Sequence, residues 1–255
     1  MTTSDMTPEA GQSGTPEEVS NVLPEMDGSA PRNACRIVLF CACSRLVGWG
    51  EDADALFRDL LEAGDFASVV FYAGDLEQTR MQELLEPVAK VLQQSGVAVL
   101  VDGDTRTAGR IGADGLQINA EAHLLESIKQ QHGSQMMVGV TNVKGRHNAL
   151  LLGEGEPDYI MFGKPGADTR PDPHAKNLEL GEWWSAIVEI PCIVLGGSVV
   201  ESVVPVAKAG VEFVGLETAI FGTEEEALSR TLIVDRLRQA NQLLDNHAPE
   251  FDLAD

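Results

Sequence analysis

Residues Pro191–Gly222 read PCIVLGGSVVESVVPVAKAGVEFVGLETAIFG, two short apolar runs flanking a segment with helical spacing. The first run closes on Gly196-Gly197-Ser198 and the second on Glu217-Thr218-Ala219. Runs this rich in Val, Ile and Leu predict strands covered on both faces, as in a parallel sheet.

The unit repeats along the chain. Similar runs occur at RIVLFCAC (Arg36–Cys43), SVVFYA (Ser68–Ala73), VAVLVD (Val97–Asp102), GLQI (Gly115–Ile118), MMVGVT (Met136–Thr141) and DYIMFG (Asp158–Gly163). Between them lie amphipathic segments such as DADALFRDLLEAG (Asp52–Gly64) and EAHLLESIKQQHG (Glu121–Gly133). The joints are alike too: EAGDFASVVF, RIGADGLQI, GEGEPDYIMF and KAGVEFVGL each place glycine before an acidic residue and then a strand. Glycine in the left-handed conformation ends a helix, so these joints predict recurrent helix-to-strand returns. Eight strands alternating with helices over about 210 residues predict an α/β fold, a (β/α)8 TIM barrel in a single domain. Neither GxGxxG nor GxxxxGK[ST] follows the first strand, which removes the usual signatures of the rival doubly wound sheet.

The barrel is expected over residues 34–245. Residues 1–33 carry no aromatic residue, one basic residue (Arg32), four prolines and three glycines. Such a segment buries too little apolar surface to offset its ordering entropy, so an acidic, disordered N-terminal tail is expected there. Residues 246–255 are expected to fray.

The net charge of −22 disfavours nucleic acid and anionic membrane surfaces as partners, since both require a basic footprint. A small anionic ligand stays open, because a local site can oppose the global field. Cys35, Cys41, Cys43 and Cys192 lie mostly in apolar runs, no apolar stretch reaches membrane length, and residues 1–33, without an apolar core segment, are not expected to act as a leader. Buried thiols in a reducing cytoplasm are the expectation. A homo-oligomer is left open.

In a barrel of this kind the chemistry sits at the strand C-termini, and a phosphate commonly rests on the loops after strands seven and eight. That makes Gly196, Gly197 and Thr218 candidate phosphate contacts, with Glu217 opposing unless it turns away or meets a cation. A tight strand-to-helix turn without a ligand accounts for the Gly-Gly pair as well. In loop six, GKPGADTRPDPHAKN, Lys164, Arg170, His174 and Lys176 stand against Asp168 and Asp172. The functional reading is a phosphate clamp; the bland one is a solvated loop.

The chain resembles the thiamine phosphate synthase and TenI-type family over approximately residues 36–225. The resemblance rests on GADGLQI (Gly112–Ile118), VGVT (Val138–Thr141), DYIMFG, IPCIVLGGS (Ile190–Ser198) and AGVEFVGLETAIF (Ala209–Phe221), in this order and spacing. It implies a synthase that joins hydroxymethylpyrimidine diphosphate to thiazole phosphate and releases pyrophosphate, so that the partner is a small phosphorylated heterocycle. It implies phosphate contacts at Thr141, Gly197 and Thr218, with Thr169 and Arg170 taking the part of a loop-six phosphate motif. Magnesium is implied also, with its ligands partly missing: two positions where the family carries magnesium carboxylates hold Gly103 and Ala122. Asp102, Asp104 and Glu121 are the candidate metal ligands that remain, with Asp104 or Thr105 equally suited to cap a helix. Val69 to Leu76, where the family carries basic residues, contains neither Arg nor Lys. An isomerase of the TenI kind and a non-catalytic barrel that binds a phosphorylated metabolite are the alternatives.

Overall fold

The computed structural model describes residues 35–223, 226 and 228–247, together with Met1, the side chain of Glu51 excepted. The expectations for residues 2–33 and 248–255 lie outside the described residues.

Eight parallel strands close into a barrel in chain order. They are β1 Arg36–Ala42, β2 Ser68–Tyr72, β3 Ala98–Asp102, β4 Gly115–Asn119, β5 Met137–Thr141, β6 Tyr159–Phe162, β7 Cys192–Leu195 and β8 Phe213–Leu216. The first and last strands pair with Ile37 opposite Val214 and Leu39 opposite Leu216, which leaves no free edge. Helices intervene as expected: α1 Cys43–Leu46, α2 Ala53–Ala63, α3 Gln78–Gln94, α4 Thr105–Ile111, α5 Ala122–His132, α6 Arg146–Gly153, α7 Ala175–Ser185, α8 Val203–Lys208, α9 Thr218–Phe221 and α10 Arg230–Asp245. Asn246 and His247 continue the turn at the end of α10, donating their N–H groups to Gln242 and Leu244.

Strand alternation divides the core in two. Val38, Phe40, Val70, Leu100, Tyr159, Met161, Ile193 and Leu195 fill the barrel interior. Ile37, Leu39, Cys41, Val69 and Phe71 point outward into the larger layer under the helices. α2 shows how the helices meet that layer. Its Ala53, Leu56, Phe57 and Leu60 are buried, a spacing that puts them on one face.

Tyr159 is the polar member of the inner layer. Its ring lies across β5 at Gly139, where any side chain would overlap it. Its hydroxyl donates to Gln117 Oε1 at 3.1 Å, and Gln117 Nε2 donates to Asp102 Oδ1 at 3.1 Å. A chain of polar groups therefore climbs through the barrel from the start of β6 to the end of β3.

The glycine-acid joints have a structural use on the acidic side. Asp114, just before β4, accepts from Val99 N–H of β3 at 2.8 Å. Asp158, before β6, accepts from Val138 N–H of β5 at 2.6 Å, and Glu212, before β8, accepts from Cys192 N–H of β7 at 3.1 Å. Each carboxylate satisfies a main-chain donor at the lower end of the preceding strand, where the ladder offers no partner. The glycines divide. Gly112 and Gly210 take the left-handed conformation, with φ of 65° and 72°. Gly64 instead is extended, and its missing side chain makes room for Asn241 of α10.

Candidate functional site at the barrel mouth

Loop six, residues 163–174, dominates the mouth and is tied down along its length. Glu217, directly after β8, is fully buried. Its Oε2 accepts the Gly166 N–H at 2.9 Å, its Oε1 accepts the Tyr72 hydroxyl at 2.5 Å, and Arg45 Nε stands 3.6 Å away. Burial pushes the Glu217 carboxyl up to about 7, with the Asp168 charge adding to the rise and Tyr72, Arg45 and Gly166 opposing it. The cation that the sequence left unidentified for Glu217 is thus Arg45, on α1.

Two residues further along loop six, Asp168 is also buried. Its two carboxylate oxygens accept from the Thr218 main-chain N–H at 2.6 Å and the Thr218 hydroxyl at 3.0 Å. Next, the Arg170 carbonyl accepts the Ser198 N–H at 2.7 Å. The Pro171 carbonyl lies so close over Gly197 that a methyl group there would overlap it. Gly196 donates its own N–H to the Gly215 carbonyl at 2.9 Å. In this structure the N–H groups of Gly196, Ser198 and Thr218 and the Thr218 hydroxyl therefore bond to the chain itself, and the Pro171 carbonyl lies over Gly197.

Thr141, at the end of β5, behaves similarly. It is buried, and its hydroxyl is directed at the Gly163 carbonyl and Met161 sulfur, both at 3.3 Å.

One sector over, the loops leave a cavity of about 380 Å³. Lys164, Thr169, Arg170 and Gly196 line it, four of the residues named from sequence, and Thr141, Gly197 and Thr218 do not. Lys144, His174 and Lys176 line it too, as do Asp168 and Asp172. Among the described residues, Lys144, Lys164, Arg170 and Lys176 have no carboxylate within ion-pair distance. His174 Nδ1 accepts the Lys176 N–H at 3.3 Å, which leaves Nε2 as the free ring nitrogen. Lys144 was missed in the sequence because it follows β5 by three residues and meets loop six only once β5 and β6 pair side by side.

The candidate metal ligands do not converge. Asp104 caps α4, accepting the N–H groups of Arg106 and Thr107 at 3.0 and 3.1 Å. It also accepts the Thr107 hydroxyl at 2.6 Å and the Gln78 amide at 2.7 and 2.8 Å. Burial raises its carboxyl, but these hydrogen bonds outweigh it and hold the group below its ordinary range. Burial raises Asp102, while Gln117 and the Lys164 charge pull it back. Glu121 is exposed, 3.5 Å from His123. Among the described residues, no three His, Cys, Asp or Glu side chains gather as an ion's ligand set. These three carboxylates do not fit a shared magnesium ion.

Other aromatic, thiol and imidazole side chains lie away from this cavity. Trp184 is buried, its indole N–H donating to the Ile190 carbonyl at 2.7 Å. Trp183 is half-buried beneath the Arg146 guanidinium, 5.1 Å from the ring centre. All four cysteines are free and buried. His147 is exposed on α6. Among the described residues no helix is long and apolar enough to cross a membrane.

The chain resembles known proteins in sequence and in fold. A family model described as thiamine monophosphate synthase matches residues 38–220. The thiamine-phosphate synthase of Erythrobacter litoralis is 30% identical over 172 residues, covering 66% of this chain and 81% of that protein. That of Hyphomonas neptunium is 27% identical over 173 residues, covering 66% and 78%. Among solved structures, a thiamine phosphate pyrophosphorylase from Pyrococcus furiosus shares the fold with a TM-score of 0.66 at 18% identity, covering 86% of this chain and 99% of that one. A matching family model that spans all eight strands leads to one assignment: the chain belongs to the thiamine monophosphate synthase family.

Proposed function

We propose that the chain is a cytoplasmic transferase of the thiamine phosphate synthase type, which joins hydroxymethylpyrimidine diphosphate to a thiazole and releases pyrophosphate. The observation that carries this reading is the gathering of Lys144, Lys164, Arg170 and Lys176 around one cavity at the mouth of a barrel of this family. A diphosphate leaving group gathers charge as its bond to carbon breaks, and fixed cations lower the barrier most where that charge develops. Arg170 offers a planar fork for two phosphate oxygens, and the lysines act as point charges.

In the step envisaged, the bond from the pyrimidine methylene carbon to the diphosphate oxygen breaks, and its electron pair leaves with the diphosphate. The thiazole nitrogen lone pair then forms the new bond to that carbon. No proton moves, so the site needs charge stabilisation and alignment rather than a general base. Asp102 stands across the mouth, where the field of Lys164 reaches it. The half-buried Asp102 carboxylate gives that side of the mouth an environment favourable to a transient pyrimidine cation.

A second reading, a non-catalytic barrel that binds a phosphorylated metabolite, is favoured by loop two. Tyr72 to Leu76 offers no cation, and the Tyr72 hydroxyl is committed to Glu217. Incubating the protein with the pyrimidine diphosphate and a thiazole acceptor in magnesium buffer, then assaying coupled product and pyrophosphate, separates the two readings. Binding without turnover selects the second.

A further inference from the structure

The seat after β8 is filled from within. Asp168 presents two anionic oxygens to the two donors of Thr218, one main-chain and one hydroxyl, as a ligand's phosphate would. The carbonyls of Arg170 and Pro171 complete the occupation over Ser198 and Gly197. Behind this contact Glu217 holds Gly166, so that loop six is anchored on both sides of Asp168. The buried Asp168 carboxylate consequently stands where a phosphate ester would have to enter. A dianion there would meet like charge at short range in a poorly screened site, and it would find the Ser198 and Thr218 donors already taken.

We propose that Asp168 is a specificity-determining residue, which makes the acceptor a neutral heterocyclic alcohol in place of its phosphate ester. This rests on the transfer reading above, whose chemistry it leaves unchanged: the carbon–oxygen bond to diphosphate breaks, the carbon–nitrogen bond forms, and the product keeps a free hydroxyl. Lys144, Lys164, Arg170 and Lys176 then serve the donor's diphosphate, in a cavity that Asp168 also lines while it stays bonded to Thr218. The arrangement is economical in charge, because the chain supplies the one anion that the seat requires. Asp168 acts by excluding one acceptor, and no reacting atom is assigned to it.

The test compares the thiazole alcohol with its phosphate ester as acceptors for the same pyrimidine diphosphate. The wild-type protein should favour the alcohol by at least tenfold in kcat/KM. Asp168→Asn keeps the shape and an acceptor for Thr218 but removes the charge, and it should improve use of the ester by at least tenfold. Asp168→Ala empties the seat, so inorganic phosphate should bind to this variant with one more site per chain than to the wild type by calorimetry. A wild-type preference for the ester, or an acceptor ratio unmoved by Asp168→Asn, overturns the proposal. If neither acceptor is turned over, the transfer reading falls and calorimetry with the two acceptors still decides: tighter binding of the alcohol upholds the role of Asp168, and equal, absent or ester-favouring binding overturns it. Should either variant fail to fold in a thermal melt, the wild-type comparison stands on its own.

Discussion

The Tyr72 hydroxyl and the Glu217 carboxylate meet at 2.5 Å across the top of the barrel, joining β2 to the end of β8. Because the carboxyl is buried, its affinity for a proton is higher folded than unfolded, and folding is coupled to pH. The ordinary value of 4.5 rises to about 7 in the folded chain. The folded state therefore binds more protons than the unfolded state between these values. This contribution to stability is fully present below about 4.5 and is lost as pH rises through about 7. Its size is on the order of 3 kcal/mol. Glu217→Gln removes the titrating group, and denaturant unfolding at a series of pH values should show that part of the slope abolished. An unchanged slope between pH 5 and 7 would place the titration elsewhere.

Asp104 is a helix cap in this fold, and its replacement should behave as the loss of one. Asp104→Ala should destabilise the protein by about 1–2 kcal/mol through the orphaned N–H groups of α4. Urea unfolding with and without magnesium checks this, and the loss should be the same in both. A loss seen only with magnesium would make Asp104 a metal ligand.

Gly139 and Tyr159 test the interior. Gly139→Ala pushes a methyl group into the Tyr159 ring and should cost about 1–3 kcal/mol by overpacking. Tyr159→Phe keeps the ring and leaves Gln117 without its hydroxyl donor, a loss of about 1–3 kcal/mol for a buried acceptor. Chemical denaturation of both variants measures the two effects. A neutral Gly139→Ala would mean that the inner layer is looser than its geometry implies.

The thiols should be silent in the native state. Burial raises Cys35, Cys43 and Cys192 to about 12, and Cys41 rises for the same reason. A thiol-disulfide reagent at pH 8 should label all four cysteines in denaturant and none of them rapidly without it. Fast labelling of Cys41 or Cys43 in the native protein would indicate an open path beside β1.

The barrel was legible because its signal is local and repeated. Each strand announces itself within five or six residues, and the glycine-acid joints recur before β2, β4, β6 and β8. The joint at Gly64 shows the limit, since its glycine answers to Asn241, far away in the chain. The mouth was only half legible. Lys164, Thr169 and Arg170 lie close together in one loop and do share a cavity. The occupant of the Thr218 donors comes from 50 residues away, and the hydroxyl partner of Glu217 from 145 residues away. A Gly-Gly turn reads identically whether a ligand or the chain's own carbonyl fills it. Asp104 was ambiguous for a related reason: a carboxylate at a strand end suits a metal and a helix cap alike, and only the positions of Gln78 and Thr107 decide between them.

Pyrophosphate release is the most direct measure of the account. Wild-type protein supplied with hydroxymethylpyrimidine diphosphate and a thiazole acceptor should release one pyrophosphate per coupled product. Lys164→Ala and Arg170→Ala should each lower kcat/KM at least tenfold, about 1.4 kcal/mol or more of lost transition-state stabilisation. No coupled product from either the thiazole alcohol or its phosphate ester would contradict the account, as would full activity in both variants.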